Sequence, residues 1–472
     1  MSNELIQHFL NTLSPDNSTR VASESFLLET SIQQPSILID SIQLLKQDNI
    51  PHHVKLIAIT FVKNKIKSSW FIKQDSPQSI RNLWLPDDLK DSVKMNLIDS
   101  LFNSNDLNNL ILQQLVNSVD LINHFDPAGT NWDQELSQLT YTNLTNNSKT
   151  NDELFVYKNL LLIKTITKKH RYDSSEQRPQ FVDKVVEVLF PLLEQLLSAN
   201  VLKPNSVYLI LKIYKYTTFT FLPPYLQDLS NLNKWVNHML NIINKYDNPN
   251  GNDEATSKCI KWSLANLYRI VSRHLRISTN KQSLVQHFIP AILQQFFPII
   301  GNPSKMSQLS DSSKYYLVSF ITESLKIDET WQNILQSSLE QIMNLLIIPM
   351  LSANEEIVEL FEDDPQEYLR RYYDMNHDLK TGYQASIEFV YLLATKRFAD
   401  SFGIITNSLN TIFNGKETFA YQAGLKILTN IWTQLLQVNN SQQLDDIMHY
   451  YIDCLLQVPR LSIAFRYLHE CA

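Results

Sequence analysis

Apolar residues recur along this chain at spacings of three and four. After Pro179, the residues Phe181, Val185, Val188, Leu189, Leu192, Leu193, Leu196 and Leu197 fall at i, i+4, i+7, i+8, i+11, i+12, i+15 and i+16. That is one broad apolar face of a helix. Ala58, Val62, Ile66 and Trp70 make a four-residue row, as do Phe155, Leu160, Ile163 and Ile166 with one offset, and Leu425, Leu428, Trp432 and Leu435. The pattern predicts about twenty helical segments of roughly 10 to 20 residues and few strands. Breakers punctuate them at Ser14-Pro15, Leu85-Pro86-Asp87, Lys203-Pro204-Asn205, Pro223-Pro224, Asn248 to Gly251 and Gly301-Asn302-Pro303.

Helix, short turn, helix is thus the repeated unit, and each pair takes roughly 40 to 45 residues, the spacing of HEAT or armadillo repeats. Neither helix of a pair can bury its stripe alone, so stacked pairs share a continuous core and form a curved array. The predicted fold class is all-α, an α-α superhelix of HEAT/armadillo-like repeats. The polar stretches Asp126 to Asn151 and Asn244 to Thr256 read as loops or insertions within the array.

Composition supports this organisation. At 472 residues the chain is too long for one core, and its 7 glycines are too few for an architecture built on hairpins or phosphate-cradling loops. No window holds 18 uninterrupted apolar residues, and the start, Met1-Ser2-Asn3-Glu4-Leu5, lacks the basic-then-apolar build of a secretory leader. A soluble intracellular protein without membrane insertion is expected, in which the Asn-x-Ser/Thr matches at Asn17, Asn143 and Asn146 stay unmodified. Cys259, Cys454 and Cys471 are far apart and read as small core residues, not as a disulfide or zinc framework.

A net charge of −7 argues against nucleic acid as a direct partner and favours basic ones. The basic runs Lys164 to Arg171 and Lys63 to Lys67 sit at helix ends, where cations complement the dipole. Nucleophile elbows, Walker loops, HExxH and kinase signatures are missing from the sequence, so no enzyme, cofactor or metal is expected. His52-His53 has no acid or cysteine in ligand register and is read as a surface or structural pair. Seven acids lie between Glu355 and Glu367 without an intervening Lys or Arg, and they lack the Gly and alternating ligands of a calcium loop. A solvated acidic element that meets a basic partner is the preferred reading.

Within that element, Glu362-Asp363-Asp364-Pro365-Gln366-Glu367-Tyr368-Leu369-Arg370-Arg371 places Pro365 at a first helical position with acids at the positive end of the dipole. The wording Asp-Pro-x-Glu-Tyr-Leu-Arg after an acidic run resembles a mid-chain signature of the importin-β superfamily of nuclear transport receptors, in particular the importin-7/importin-8 type and exportin-2. Three N-terminal fragments follow the same order. Thr12 to Asp16, with Arg20 to Glu24 and Leu27, is similar to the family's opening repeat. Ile59 to Ile66, ending in Trp70, is similar to its second-repeat motif, with Val62 where Leu is usual. Leu85 to Lys90, with Val93, Lys94 and Leu97, continues it, and the helix Gly382 to Lys396 ends in the basic pair Lys396-Arg397.

The resemblance implies a receptor that binds the GTP-bound form of the small GTPase Ran, carries basic protein cargo and contacts Phe-Gly nucleoporins, moving between cytoplasm and nucleus. It implies family repeats in residues 1–125 that bind the GTPase, and further repeats in 126–472 with an acidic element at 354–371. Lys63, Asn64, Glu362, Asp363, Asp364, Glu367 and Arg370 are the candidate partner contacts. Trp70, Pro365 and Tyr368 are the structural members of the motifs. Export of an exportin-2 kind, or a cytoplasmic HEAT scaffold without a GTPase, are the competing readings. Such receptors run to roughly twice this length, and Phe465 to Ala472 still follows an apolar pattern where a terminal repeat would be polar, so either a piece of a longer chain or a last apolar face covered by something else is expected.

Overall fold

The computed structural model describes residues 2–71, 85–126, 132–145, 152–245, 253–277, 281–373, 380–415, 417, 419–438 and 441–456. Phe465 to Ala472, Cys471, Asn146 and the side chain of Cys454 lie outside the described residues. The fold is all-α, with no strand among the described residues. The chain divides at the Pro223-Pro224 breaker into two compact units, Met1–Pro223 and Pro224–Ala472.

The first unit stacks five helix pairs: α1 (Ser2–Asn11) with α2 (Asn17–Gln33), α3 (Ile37–Gln43) with α4 (His52–Ser69), α5 (Asp87–Asn103) with α6 (Asn109–Phe125), α7 (Trp132–Thr145) with α8 (Glu153–Lys169), and α9 (Gln180–Ala199) with α10 (Pro204–Thr217). The second helices α4, α6, α8 and α10 pack side by side, while α3 packs on α5 and α7 on α9. Caps start these helices where the sequence places short polar residues. The Asp16 carboxylate accepts from the backbone N–H groups of Ser18 and Thr19, and the hydroxyls of the same two residues hold it well below the usual carboxylate range. Asn108 and Asp152 cap α6 and α8 in the same way. Asn200, with φ of 57°, ends α9 in the left-handed conformation that Asn tolerates.

The second unit continues the pattern with α11 (Leu229–Lys245) and α12 (Glu254–Arg269), the latter extended through a π turn at Ile270–His274 into Leu275–Ile277. Then come α13 (Ile289–Ile300) with α14 (Asp311–Ser324), and a rod, α15, built end to end from Asp328–Thr330, Trp331–Leu335, Gln336–Ile342, Met343–Ile347 and Ile348–Leu351. The partner of α15 is α18 (Gly382–Lys396). Between them the chain inserts α16 (Glu355–Asp363) and α17 (Pro365–Tyr373) before α19 (Phe398–Asn414), α20 (Ala420–Val438) and α21 (Ser441–Leu456). Here α12, α14, α18 and α20 form the side-by-side row. The stretches Lys281–Ile300 and Asp328–Asp363 are long and apolar enough to cross a membrane by length and composition alone, and both bury part of that window in the unit.

Two expectations change. Trp132–Thr145, read as loop, is the helix α7, because Trp132, Leu136, Thr140 and Leu144 recur every fourth residue and are all buried. The predicted face of α9 is rotated. Val182, Val185, Val186, Leu189, Phe190 and Leu193 are buried, whereas Val188 is 41% exposed and Phe181, Leu196 and Leu197 are only half-buried. The wide stripe exceeds what one neighbouring pair covers, and its edge lines a surface groove of about 290 Å³ beside Tyr141 of α7.

Gly424 lets α20 approach α19 closely, since a Cβ there would lie 2.6 Å from Cε2 of the buried Phe413 ring. Gly424→Val is expected to destabilise the second unit by about 1–3 kcal/mol, the usual range for overpacking, as read by urea unfolding. His274, in the π turn of α12, is 1% exposed, and neither ring nitrogen has a hydrogen-bond partner among the described residues. Burial, helped by Arg269 and Arg273, pushes it down to about 3 from the ordinary 6.5. The folded state therefore keeps the ring neutral while the unfolded chain takes up a proton. The stability tied to the neutral ring is complete above about pH 6.5 and is lost as pH falls from there toward 3. His274→Leu should flatten the dependence of Tm on pH between 6.5 and 4, and an unchanged slope would count against this assignment.

Candidate partner-binding surfaces

The acidic element is an insertion within one repeat, formed by α16 and α17 between α15 and α18. Asn354 caps α16 by accepting from Ile357 N at 2.9 Å. Val358 is buried on the inner face of α16. On the outer face Glu355, Glu356, Glu359, Glu362 and Asp363 are all exposed. Asp364 ends α16 and starts α17: its N–H donates to Leu360 O, and its carboxylate accepts from Glu367 N at 3.0 Å. Pro365 occupies the first helical position, as its fixed φ and missing donor favour.

Glu367 is clamped from within α17. Arg370 donates to both its oxygens, at 2.6 and 2.8 Å, and Arg371 donates to one at 2.7 Å. These hydrogen bonds, that of Arg370 first, hold the carboxyl at about 2. Tyr368 is buried and joins α17 to the repeat through a run of rings, Phe361 to Tyr368 to Tyr372 to Tyr383, each centroid 5.1 Å from the next. Asp364, Pro365, Glu367, Tyr368 and Arg370 thus each have a structural task. Glu362 and Asp363 lie in the last turn of α16, at the negative end of its dipole and with no basic residue in that turn, and Glu359 is exposed one turn earlier. Capping does not account for them.

The second candidate lies on α4. Lys63 is half-buried and donates from Nζ to Gln114 Oε1 of α6 at 2.7 Å. Asn64 is exposed one residue further on. It borders a groove of about 610 Å³ between α2 and α4, lined among others by Glu24, Leu28, Phe61 and Lys65. Leu28 is 57% exposed there, and burial pushes the Lys65 ammonium below the usual lysine range. The sequence pattern did not point to Leu28 or Phe61. Their only signal was an apolar residue off the main stripe of each helix.

Trp70 belongs to the core. It is 3% exposed, and Ala58, Val62 and Ile66 of its row are fully buried. Its Nε1–H donates to Asp126 Oδ1 at 2.9 Å, Lys94 Nζ meets Asp126 Oδ2 at 2.6 Å, and Lys90 and Lys94 each stand 5.9 Å from the indole centroid. His52 pairs with Asp106 at 2.8 Å on the surface. Lys168 pairs with Asp120 and Lys169 with Asp133, so the end of the Lys164 to Arg171 run is engaged in structural ion pairs. No cluster of three metal-ligating residues occurs among the described residues.

Two family models match the chain: "Importin-beta N-terminal domain" over residues 26–103 and "Cse1" over residues 194–422. Among curated relatives, Nonsense-mediated mRNA decay protein 5 of Saccharomyces cerevisiae is 27% identical, covering 83% of this chain and 39% of that protein. A probable importin-7 homolog of Dictyostelium discoideum is 22% identical, covering 84% of this chain and 38% of its own length. The chain thus spans about two fifths of the curated relatives it matches. Of solved structures, the exportin Cse1 in its cargo-free, cytoplasmic state superposes with a TM-score of 0.67 at 17% identity, over 99% of this chain and 55% of that one. Kap121p bound to RanGTP superposes with a TM-score of 0.58 at 12% identity, over 100% of this chain and 39% of that one. Both share the fold.

Trp70→Ala removes a large core side chain together with the donor to Asp126. A loss of about 3–5 kcal/mol in the stability of the first unit is expected, measured by denaturant unfolding. Trp70→Phe should recover most of the packing while leaving the Asp126 acceptor without the indole.

Proposed function

Since the chain belongs to the importin-β superfamily, we propose that it is the N-terminal part of a nuclear transport receptor whose cargo binding is controlled by the GTP-bound small GTPase Ran. Residues 1–125 supply the GTPase contact through α2 and α4, with Asn64 exposed beside the groove and Lys63 on the same helix. Residues 126–472 supply further repeats, and the acidic element at 354–371 meets a basic surface on the GTPase or on a basic cargo protein. Phe-Gly nucleoporins and movement between cytoplasm and nucleus belong to the same reading.

One observation carries this proposal: Glu359, Glu362 and Asp363 lie exposed on an inserted helix, the last two at the negative end of its dipole, where no basic residue stands in the last turn. Such an arrangement is unfavourable in the free protein and is relieved when a basic surface covers it. The likeness to Kap121p bound to RanGTP supports the choice of a GTPase. Import is the preferred direction, in line with the importin-7 homolog. Export of the exportin-2 kind is the second reading, favoured by the Cse1 match over 194–422 and by the Cse1 superposition.

The test is association of the chain with Ran loaded with a non-hydrolysable GTP analogue or with GDP, alongside a basic cargo peptide. Glu359→Lys with Glu362→Lys and Asp363→Lys should slow association about tenfold at low salt, and the difference should shrink toward high salt. Asp364 is left in place because it caps α17. A folded triple variant with unchanged rates for both ligands at low salt would make the cluster structural. Equal binding of the two nucleotide forms would remove GTPase control and leave a scaffold.

A further inference from the structure

A face in the second unit gathers lysines from three elements around a pair of tyrosines. Lys380, two residues before α18, places Nζ 6.0 Å from the centroid of the Tyr315 ring and 5.7 Å from that of Tyr316, both on α14. These two rings meet edge-on at 5.2 Å, and Tyr316 lies 5.9 Å from Tyr268 of α12, so α12 and α14 share one aromatic layer. Lys261 stands on α12 about two turns before Tyr268, with Nζ 5.9 Å from the Trp262 ring. Lys314 of α14 lies against the start of α18, where a Cβ on Gly382 would come within 3.1 Å of its Cβ.

These charges are not answered from within the unit. Among the described residues, none of Lys261, Lys314 and Lys380 makes an ion pair. Burial, and then the like charge of Lys380, pushes the Lys261 ammonium below the usual lysine range, so the two cations stand close enough to repel. Carboxylates do reach the aromatic layer: burial first, then Tyr315, Glu323 and Glu388, pushes the Tyr268 phenol up to about 12. Glu323 is already held by Lys326 at 2.7 Å and Arg276 at 3.9 Å, and Glu388 acts on Tyr268 and Tyr315 but not on Lys261. The tyrosine rings fix Lys380 before any ligand arrives, which spares part of the cost of ordering a long side chain.

We propose that this face binds a phosphorylated serine or threonine in an extended segment of a partner protein, with the phosphoryl group on Lys261 and Lys380 and with Lys314 beside them. A phosphoryl group carries about −1.5 to −2 charges at neutral pH and three strong acceptor oxygens, so one compact group answers two ammonium ions at once. Lysines suit such a point of charge, whereas a planar carboxylate is better matched by the fork of an arginine. The anion also relieves the repulsion between Lys261 and Lys380, which the free protein bears. A long polyanion such as nucleic acid is disfavoured, because its further phosphates meet Glu388 and a chain of net charge −7. The face uses no residue of the α2–α4 groove or of the acidic element, so it goes beyond the transport reading and stands whether or not a GTPase controls the protein.

The experiment uses the full chain, titrated to about 1 mM, and a fluorescein-labelled glycine–alanine peptide with a central phosphoserine, read by fluorescence anisotropy beside the same peptide with serine. At about 50 mM salt the phosphopeptide is expected to bind about tenfold tighter than the serine peptide, and the difference should fade near 0.5 M. Lys261→Gln with Lys380→Gln should abolish that difference, while Lys261→Arg with Lys380→Arg keeps it. Glu388→Gln, at an exposed position, should tighten the phosphopeptide about twofold and leave the serine peptide unchanged. Lys67→Gln, exposed on α4 in the first unit, should change nothing. If the double glutamine variant does not fold, Lys380→Gln and Glu388→Gln decide. Equal binding of the two peptides at low salt, a difference that survives loss of both lysine charges, or tighter binding of a labelled RNA of matched length than of the phosphopeptide would each overturn the proposal.

Discussion

No helix pair in this chain can bury its own apolar face, and the architecture of each unit follows from that constraint. Helices such as α4, α6 and α8 carry wide apolar stripes, and each stripe is covered only when the same face of the next pair arrives. The result is a side-by-side row of second helices within each unit. Exposed residues on such a row come at regular spacing, which makes it a ready platform for extended partners. Where α9 presents more apolar surface than its neighbours cover, Val188 and Phe181 remain at a groove rim.

Stacking alone sets contact but not register, and a recurrent polar clamp supplies the rest. In the first unit the Trp70 indole donates to Asp126, which also holds Lys94 beside the ring. In the second unit the buried Trp331 donates to Asp400 at 3.1 Å, while Arg397 lies 5.6 Å from the ring, donates to Leu325 O and pairs with Asp328. Each clamp joins segments more than fifty residues apart in sequence. A donor, an acceptor and a cation with one allowed geometry resist slippage in a way that interchangeable leucines do not. Arg397, half of the basic pair that ends α18, belongs to this clamp.

Charge on the surface divides by the same accounting. Asp16, Asp364 and Glu367 are explained by the N–H groups, hydroxyls and guanidinium groups they accept from. Glu359, Glu362 and Asp363 lie exposed on α16, with no basic residue in its last turn. The second unit thus offers an anionic inserted element and, apart from it, the lysine face around Tyr315. Each suits a partner of opposite sign.

Helical class, pair spacing and the burial of the Trp70 row were legible in the sequence because they are local. A 3.6-residue period, a capping Asp and a Pro at the first turn act within a few residues of themselves. Pro223-Pro224 was visible as a helix breaker for the same reason, but nothing local marked it as the boundary between the two units. Trp132–Thr145 was hidden because Asn and Thr outweighed three correctly spaced apolar positions, and only packing against α8 and α9 decided for helix. The acidic motif was legible as a whole, but the division of labour within it was not. That Arg370 and Arg371 both turn back on Glu367 depends on rotamers set in the folded helix. Lys261 and Lys380 carried no signal at all, since their meaning arises from each other, more than a hundred residues apart in the chain and brought together by the stacking of α12, α14 and α18. Sequence alone determines most of the helices, because those forces are short-ranged. Only the tertiary structure decides which charges pair with which, because that requires every competing bond to be in place.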